Sequence, residues 1–135
     1  MIVVDTSVLV AILNHEPERQ MFLDMIMLNE VITPCTCVLE TAMAMHRLLP
    51  TLTVPQQDSF LAKSLIGIAA ITPELASKAR DAFLAYGKGR HPAGLNFGDC
   101  FSYALAMQLD APLLFKGNDF SKTDVRIAAL EGEAT

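Results

Sequence analysis

The sequence predicts an α/β domain, a short parallel sheet of four to five strands flanked by helices. Three observations predict it. Short apolar runs recur at Ile2-Val3-Val4, Val31-Ile32, Ile66 to Ile71 and Leu113-Leu114-Phe115, without the polar alternation of a half-exposed strand. Longer stretches with apolar residues at helical spacing separate them. Strands alternating with helices imply parallel pairing through crossovers. The 135 residues read as one domain, 1–135, with no internal repeat, low-complexity tract or linker.

The first run stops at Asp5, and helical spacing resumes with Val8, Leu9, Ile12 and Leu13, which predicts a helix over 6–14. A second helix is expected over 16–29, with Pro17 near its start and Met21, Phe22, Met25, Ile26 and Leu28 on its apolar side. Val31-Ile32-Thr33 reads as a strand ended by Pro34, with a helix through Leu49 behind it. Pro50 and Pro55 bracket a loop, and a helix over 55–65 leads into the third strand, 66–71. Thr72-Pro73-Glu74 supplies a cap and a proline at the first helical position, so a helix runs to Tyr86. After the Gly-, Pro- and basic-rich loop 87–95 comes a helix over 97–109, then the fourth strand, 113–115. Gly117-Asn118 makes a turn, and a short fifth strand is expected near 125–128.

Composition narrows the function. Apolar residues make up 52% of the chain, too many for disorder. No apolar run approaches the roughly 20 residues that span a bilayer, and the first residues lack the basic start of a secretory signal. The expectation is a soluble, cytoplasmic protein with no membrane partner. A net charge of −5 argues against coating nucleic acid by charge alone. The odd cysteine count, Cys35, Cys37 and Cys100, does not form a disulfide framework. A zinc site from Cys35, Cys37 and His46 is conceivable, and buried free thiols are the simpler reading.

Ligands of such sheets bind beyond the carboxyl ends of the strands. Asp5 directly follows the first strand, Glu40 lies about a turn into the helix after the second, Asp99 sits in the first turn of the helix near 97, and Asp119 follows the fourth strand. Each alone has a plain structural reading. Asp5, or Thr6 beside it, can cap a helix. Asn96 to Asp99 resembles a capping box, Asp119 can cap a short turn, and Glu40 can face solvent. Together they read differently. Thr6 or Ser7 can start the first helix without a charge beside a buried strand, and Asp99 lies among Phe97, Cys100 and Phe101, where an uncompensated carboxylate is costly. Clustered carboxylates repel unless a cation joins them. An all-oxygen set favours Mg2+ or Mn2+, a setting suited to phosphodiester hydrolysis.

Those residues carry a resemblance. MIVVDTSVLVAIL, PCTCVLE, LNFGDCFSYALA and APLLFKGNDFSKTDV resemble the four motifs of PIN-domain ribonucleases, and the last two are especially similar to VapC toxins of bacterial toxin–antitoxin pairs. The resemblance covers nearly the whole chain and implies a PIN-like three-layer fold. It implies an acidic tetrad at Asp5, Glu40, Asp99 and Asp119, with Asp5 and Asp99 the most direct metal ligands. It also implies supporting roles for Thr6 and Asn96. Asn118 stands where some relatives carry a further acid. The implied activity is Mg2+- or Mn2+-dependent endoribonuclease cleavage leaving a 5′-phosphate and a 3′-hydroxyl, with transfer RNA as a family-level substrate. The implied partners are a VapB-type antitoxin and a second copy of the chain, in a homodimer and a toxin–antitoxin hetero-oligomer.

Lys78, Arg80, Lys88, Arg90 and His91 form the densest basic stretch, and with Lys116 they are the candidates to hold RNA phosphates; a solvated helix face is the competing reading. Met21, Met25, Met27, Met43 and Met45 are dense, and most are expected in the core, with some lining a groove for a partner helix. Rival classes lack their signatures. No acid ends the third strand as in a receiver phosphoacceptor, Asp5-Thr6-Ser7 is not the D-x-D of haloacid-dehalogenase phosphatases, and there is no early G-x-G-x-x-G and no P-loop. The remaining alternative is a catalytically weak PIN-like module that only binds RNA or a partner.

Overall fold

The computed structural model describes residues 1–129. The elements are β1 (Ile2–Val4), α1 (Thr6–Leu13), α2 (Arg19–Leu28), β2 (Val31–Pro34), α3 (Thr36–Leu48), α4 (Val54–Lys63), β3 (Gly67–Ala69), α5 (Pro73–Tyr86), α6 (Phe97–Gln108) and β4 (Leu113–Leu114), followed by a 3-10 turn at Phe120–Lys122. The strands form one parallel sheet in the order β3-β2-β1-β4. Ile2 pairs with Val31 and Val3 with Ile32 on one side of β1, while Val3 pairs with Leu113 and Val4 with Leu114 on the other.

Side chains alternate across a strand, so the apolar run of β1 feeds two cores. Val3 packs with α5 and α6, through Leu75, Ala79, Ala104 and Leu105. Ile2 and Val4 pack with α1 and α2, through Val8, Leu9, Ile12, Phe22 and Ile26. These are the three layers of the expected α/β fold. The chain leaves β1 toward β2 on one side and returns on the other as β4. The order therefore reverses between β1 and β4, the switch point at which sheets of this kind leave a crevice outside the strands' carboxyl ends.

Local chemistry explains the boundaries. Thr53 and Gln56 form a reciprocal capping box at α4, and Thr72 accepts from the Leu75 amide ahead of Pro73 at α5. The second helix begins at Arg19 rather than near Pro17, because His15 takes a left-handed φ of 52° and residues 14–18 turn. The third strand is shorter than 66–71, and its Gly67 and Ile68 are exposed at the sheet edge. The expected fifth strand is a single parallel bridge between Leu113 and Ile127. It uses both the N–H and the carbonyl on the free side of Leu113, and β4 ends one residue later, so no ladder extends. Met25 and Met45 are buried, but Met21, Met27 and Met43 are exposed, so most of that group lies outside the core. Among the described residues, no helix is long and apolar enough to cross a membrane.

Candidate active site

Asp5 emerges from β1 into the crevice and is only 4% exposed. One carboxylate oxygen, Oδ2, accepts from the Ser7 amide at 3.1 Å, so Asp5 is itself the N-cap of α1. That corrects the expectation that Thr6 or Ser7 would carry the cap. The other oxygen accepts from the Ser102 hydroxyl at 2.6 Å, a contact between residues 97 apart in sequence. Thr6 is left to bond elsewhere. Its hydroxyl donates to Glu40 Oε1 at 3.0 Å, so Glu40 turns toward the site and away from bulk solvent.

Glu40 lies against the start of α6. A Cβ added at Gly98 would meet Glu40 Oε2 at 1.9 Å and Cδ at 2.2 Å. A glycine weakens a helix, and here its missing side chain is the space Glu40 occupies. One residue on, the Asp99 carboxylate accepts from the Asn96 amide at 3.1 Å while Asn96 Oδ1 accepts from the Asp99 amide at 2.9 Å. The capping box is therefore present, with an Asp where Glu is usual. Capping and membership of the acid cluster coexist at Asp99 as they do at Asp5.

Asp119 sits after β4 at the start of the 3-10 turn and makes no capping bond there. The turn that carries it is tied down at Lys116, whose amide donates to Ser7 Oγ at 3.0 Å and whose ammonium contacts Glu16 at 2.6 Å and Glu18 at 2.9 Å. Gly117 takes φ 105°, a conformation suited to glycine. Asn118 is exposed, and its carbonyl accepts from the Ser121 hydroxyl.

The electrostatics report the crowding of acids. Burial and then the field of Asp5, with smaller parts from Asp119 and Glu40, push the Asp99 carboxyl up to about 7, against the opposing Asn96 amide. Burial also raises Glu40, partly offset by Thr6 and reinforced by Asp5. Burial and the Asp5 field push the Cys37 thiol up to about 11, so it stays protonated 3.9 Å from Ser102 Oγ. Among the described residues, none of the four acids is in an ion pair. Nor do any three His, Cys, Asp or Glu side chains there already converge closely enough to chelate an ion. Protein donors hold Asp5, Glu40 and Asp99 in place, and the fields of Asp5, Asp119 and Glu40 reach Asp99. An oxygen-only donor set with unbalanced negative charge fits a hard divalent cation. The cysteine zinc site finds no support, since Cys37 is buried while His46 is exposed.

The basic candidates separate. Arg80 and Lys88 line a cavity beside the start of α6. Arg90 lies over the Phe83 ring, with Cζ 5.8 Å from its centroid. Lys78 lines a different depression with Asp81 and Tyr103. Lys116 is engaged by Glu16 and Glu18. Two site residues escaped the sequence reading, Ser102 and Gly98. Their signals were a hydroxyl inside the apolar CFSYALA segment and a glycine in the first turn of a helix.

Comparison with known proteins agrees with this fold. The family model described as PIN domain matches residues 2–126. Ribonuclease VapC30 of Mycobacterium tuberculosis is 41% identical over 129 residues, covering 95% of this chain and 98% of the relative. The crystal structure of Mycobacterium tuberculosis VapC20, described as a Sarcin-Ricin loop cleaving toxin, superposes with a TM-score of 0.77 at 17% identity, covering 95% of this chain and 98% of that one. A toxin–antitoxin complex from Klebsiella pneumoniae superposes with a TM-score of 0.70 at 15% identity, covering 95% and 97%.

Proposed function

This chain belongs to the PIN-domain family and is a VapC-type ribonuclease toxin, and on that premise we propose that it is an endoribonuclease dependent on Mg2+ or Mn2+. The observation that supports the reading is that four carboxylates come from four chain segments, Asp5, Glu40, Asp99 and Asp119, that the fields of the other three reach Asp99, and that among the described residues none of the four is ion-paired. Asp5 and Asp99 would hold the cation directly, with Glu40 and Asp119 completing the acidic set. When bound, such an ion supplies a water of lowered pKa and neutralises charge on the phosphodiester.

The chain's own residues prepare that site. Ser102 and the Ser7 amide orient Asp5, Thr6 orients Glu40, and Asn96 orients Asp99. Outer partners of this kind fix ligand geometry before anything binds. In the hydrolysis, a P–O bond forms to water and the bond to the 3′ oxygen breaks. The leaving oxygen takes a proton, giving a 3′-hydroxyl and a 5′-phosphate. Transfer RNA in the cytoplasm is the proposed substrate. A VapB-type antitoxin and a second copy of the chain are the proposed partners. Leu39 and Met43 of α3, and Met21 and Met27 of α2, offer exposed apolar surface of the kind a partner helix covers.

The test is to incubate purified protein with total cellular RNA, with Mg2+ or Mn2+ or with EDTA, beside Asp5→Asn and Asp99→Asn. The expected result is cation-dependent cleavage into discrete fragments by wild type alone. Cleavage that survives EDTA, or that both variants retain, overturns the mechanism.

A further inference from the structure

We propose that the cavity between α5 and α6 is a stacking subsite for an unpaired nucleobase of the RNA substrate, which positions the strand for cutting at the neighbouring acids. The proposal rests on the ribonuclease reading above and adds a site to it. The cavity has a volume of about 500 Å³, room for a base and its ribose. Its apolar walls include Phe83, Leu95, Phe97 and Phe101, and Arg80 and Lys88 stand among them. Among the described residues no acidic one lines it, so its charge complements a polyanion in a protein whose net charge is −5.

The aromatic placement is specific. Phe97, the first residue of α6, is 78% exposed. It is braced edge-on against Phe101, with ring centroids 5.2 Å apart and planes at 72°. A large apolar ring kept in water yet supported from behind suits a base stacking on its free face. Gly87 contributes on the other wall. A Cβ there would meet the Phe83 ring at 2.3 Å and the Phe83 carbonyl at 2.4 Å, so its absence lets the loop carrying Lys88 lie against α5.

The cavity also adjoins the acids through shared residues. Asn96 lines it and, through its backbone amide and side chain, caps Asp99. Cys100, also in its wall, follows Asp99 directly. One turn of α6 thus presents Asp99 to the acid cluster and Phe97 to the cavity. A base seated on Phe97 belongs to a nucleotide at or next to the phosphodiester at Asp99. Single strands are read by proteins through such splayed bases, and stacking tolerates many sequences because every base has a π-face.

The test measures anisotropy of a short fluorescein-labelled single-stranded RNA of mixed sequence, in EDTA so that nothing is cut. Phe97→Ala is expected to weaken binding roughly 5- to 100-fold, and Phe97→Tyr to stay within about threefold of wild type. Stacking releases no counterions. The slope of log affinity against log salt therefore stays unchanged in Phe97→Ala, but shallows by about 1.4 in Arg80→Gln/Lys88→Gln, at about 0.7 per phosphate contact on a single strand. An abasic ribose-phosphate strand is expected to bind wild type and Phe97→Ala alike. Because Phe97 is exposed, its variants should keep the wild-type melting temperature. If wild type cuts RNA but Phe97→Ala binds as tightly as wild type, the subsite is refuted and the ribonuclease reading stands. Equal loss in Phe97→Ala and Phe97→Tyr, with a changed oligomeric state in sedimentation, assigns the face to a second copy and also refutes it. A wild type that neither binds nor cuts RNA removes both readings.

Discussion

Replacing Gly98 with alanine should separate stability from activity. The added Cβ would stand 1.9 Å from Glu40 Oε2, 2.2 Å from Cδ and 2.3 Å from Oε1. All three atoms lie at the far end of a flexible side chain, so Glu40 yields and the backbone does not. Two effects on stability oppose. Alanine in place of glycine in a helix is worth up to roughly 1 kcal/mol, less in a first turn. Losing the Thr6–Glu40 bond, 3.0 Å in wild type, costs about 1.5–3 kcal/mol as a bond to a charged group. Burial that now raises the Glu40 pKa is relieved when the carboxylate moves toward water, which returns part of that cost. The net change in unfolding free energy should fall within about 1 kcal/mol of zero. Activity has no such offset, because one acid leaves the cluster, and a loss of about 10- to 100-fold is expected. The assay pairs urea denaturation with initial rates of RNA cleavage across a Mg2+ series, for Gly98→Ala, Glu40→Gln and the double variant. If alanine acts through Glu40, the double variant is no slower than Glu40→Gln. Wild-type rates in Gly98→Ala, or additive losses in the double, would refute the displacement argument.

Two other perturbations reach the same site from different sides. Ser102→Ala strips a donor from Asp5 where both residues are buried, at 0% and 4% exposure. It should cost about 1.5–3 kcal/mol of stability in urea denaturation and slow cleavage about 10- to 100-fold; a variant as stable and as active as wild type would show that the hydroxyl does not hold the carboxylate. The second concerns pH in EDTA. Asp99 is raised to about 7 by burial and by Asp5, so the folded state holds its proton more tightly than the unfolded chain does. That contribution is complete below the ordinary aspartate range and is lost as pH rises through about 7. Glu40, also raised, adds in the same direction. The shift at Asp99 would amount to at most roughly 4 kcal/mol at 1.36 per pKa unit, and water reaching a partly exposed carboxylate reduces this to about 1–2 kcal/mol. The melting temperature should therefore fall between pH 4.5 and 8 in EDTA. It should fall less with Mg2+ or in Asp99→Asn, and a flat or rising profile in EDTA would contradict the crowding of acids.

What the sequence could and could not reveal follows from the range over which each interaction acts. The strand Ile2–Val4 was legible because burial on both faces leaves no polar alternation, and its three residues do divide between two cores. The bridge at Ile127 was not, because Leu113 alone decides whether pairing extends past it. The acids could be named from strand ends and a family resemblance, but their supports are mostly contacts between distant residues. Ser102 lies 97 residues from Asp5, and Lys116 lies 100 from Glu16. A helix cap and a place in the acid cluster are not rival explanations of Asp5. A carboxylate has two oxygens, each able to accept more than one bond. At Asp5 one serves the helix and the other serves Ser102. At Asp99 and Glu40 one oxygen takes a protein donor, while among the described residues the other takes none. The donors that order Asp5, Glu40 and Asp99 therefore leave acceptor capacity unused, and that capacity, crowded by neighbouring acids, is what the proposed Mg2+ or Mn2+ would satisfy.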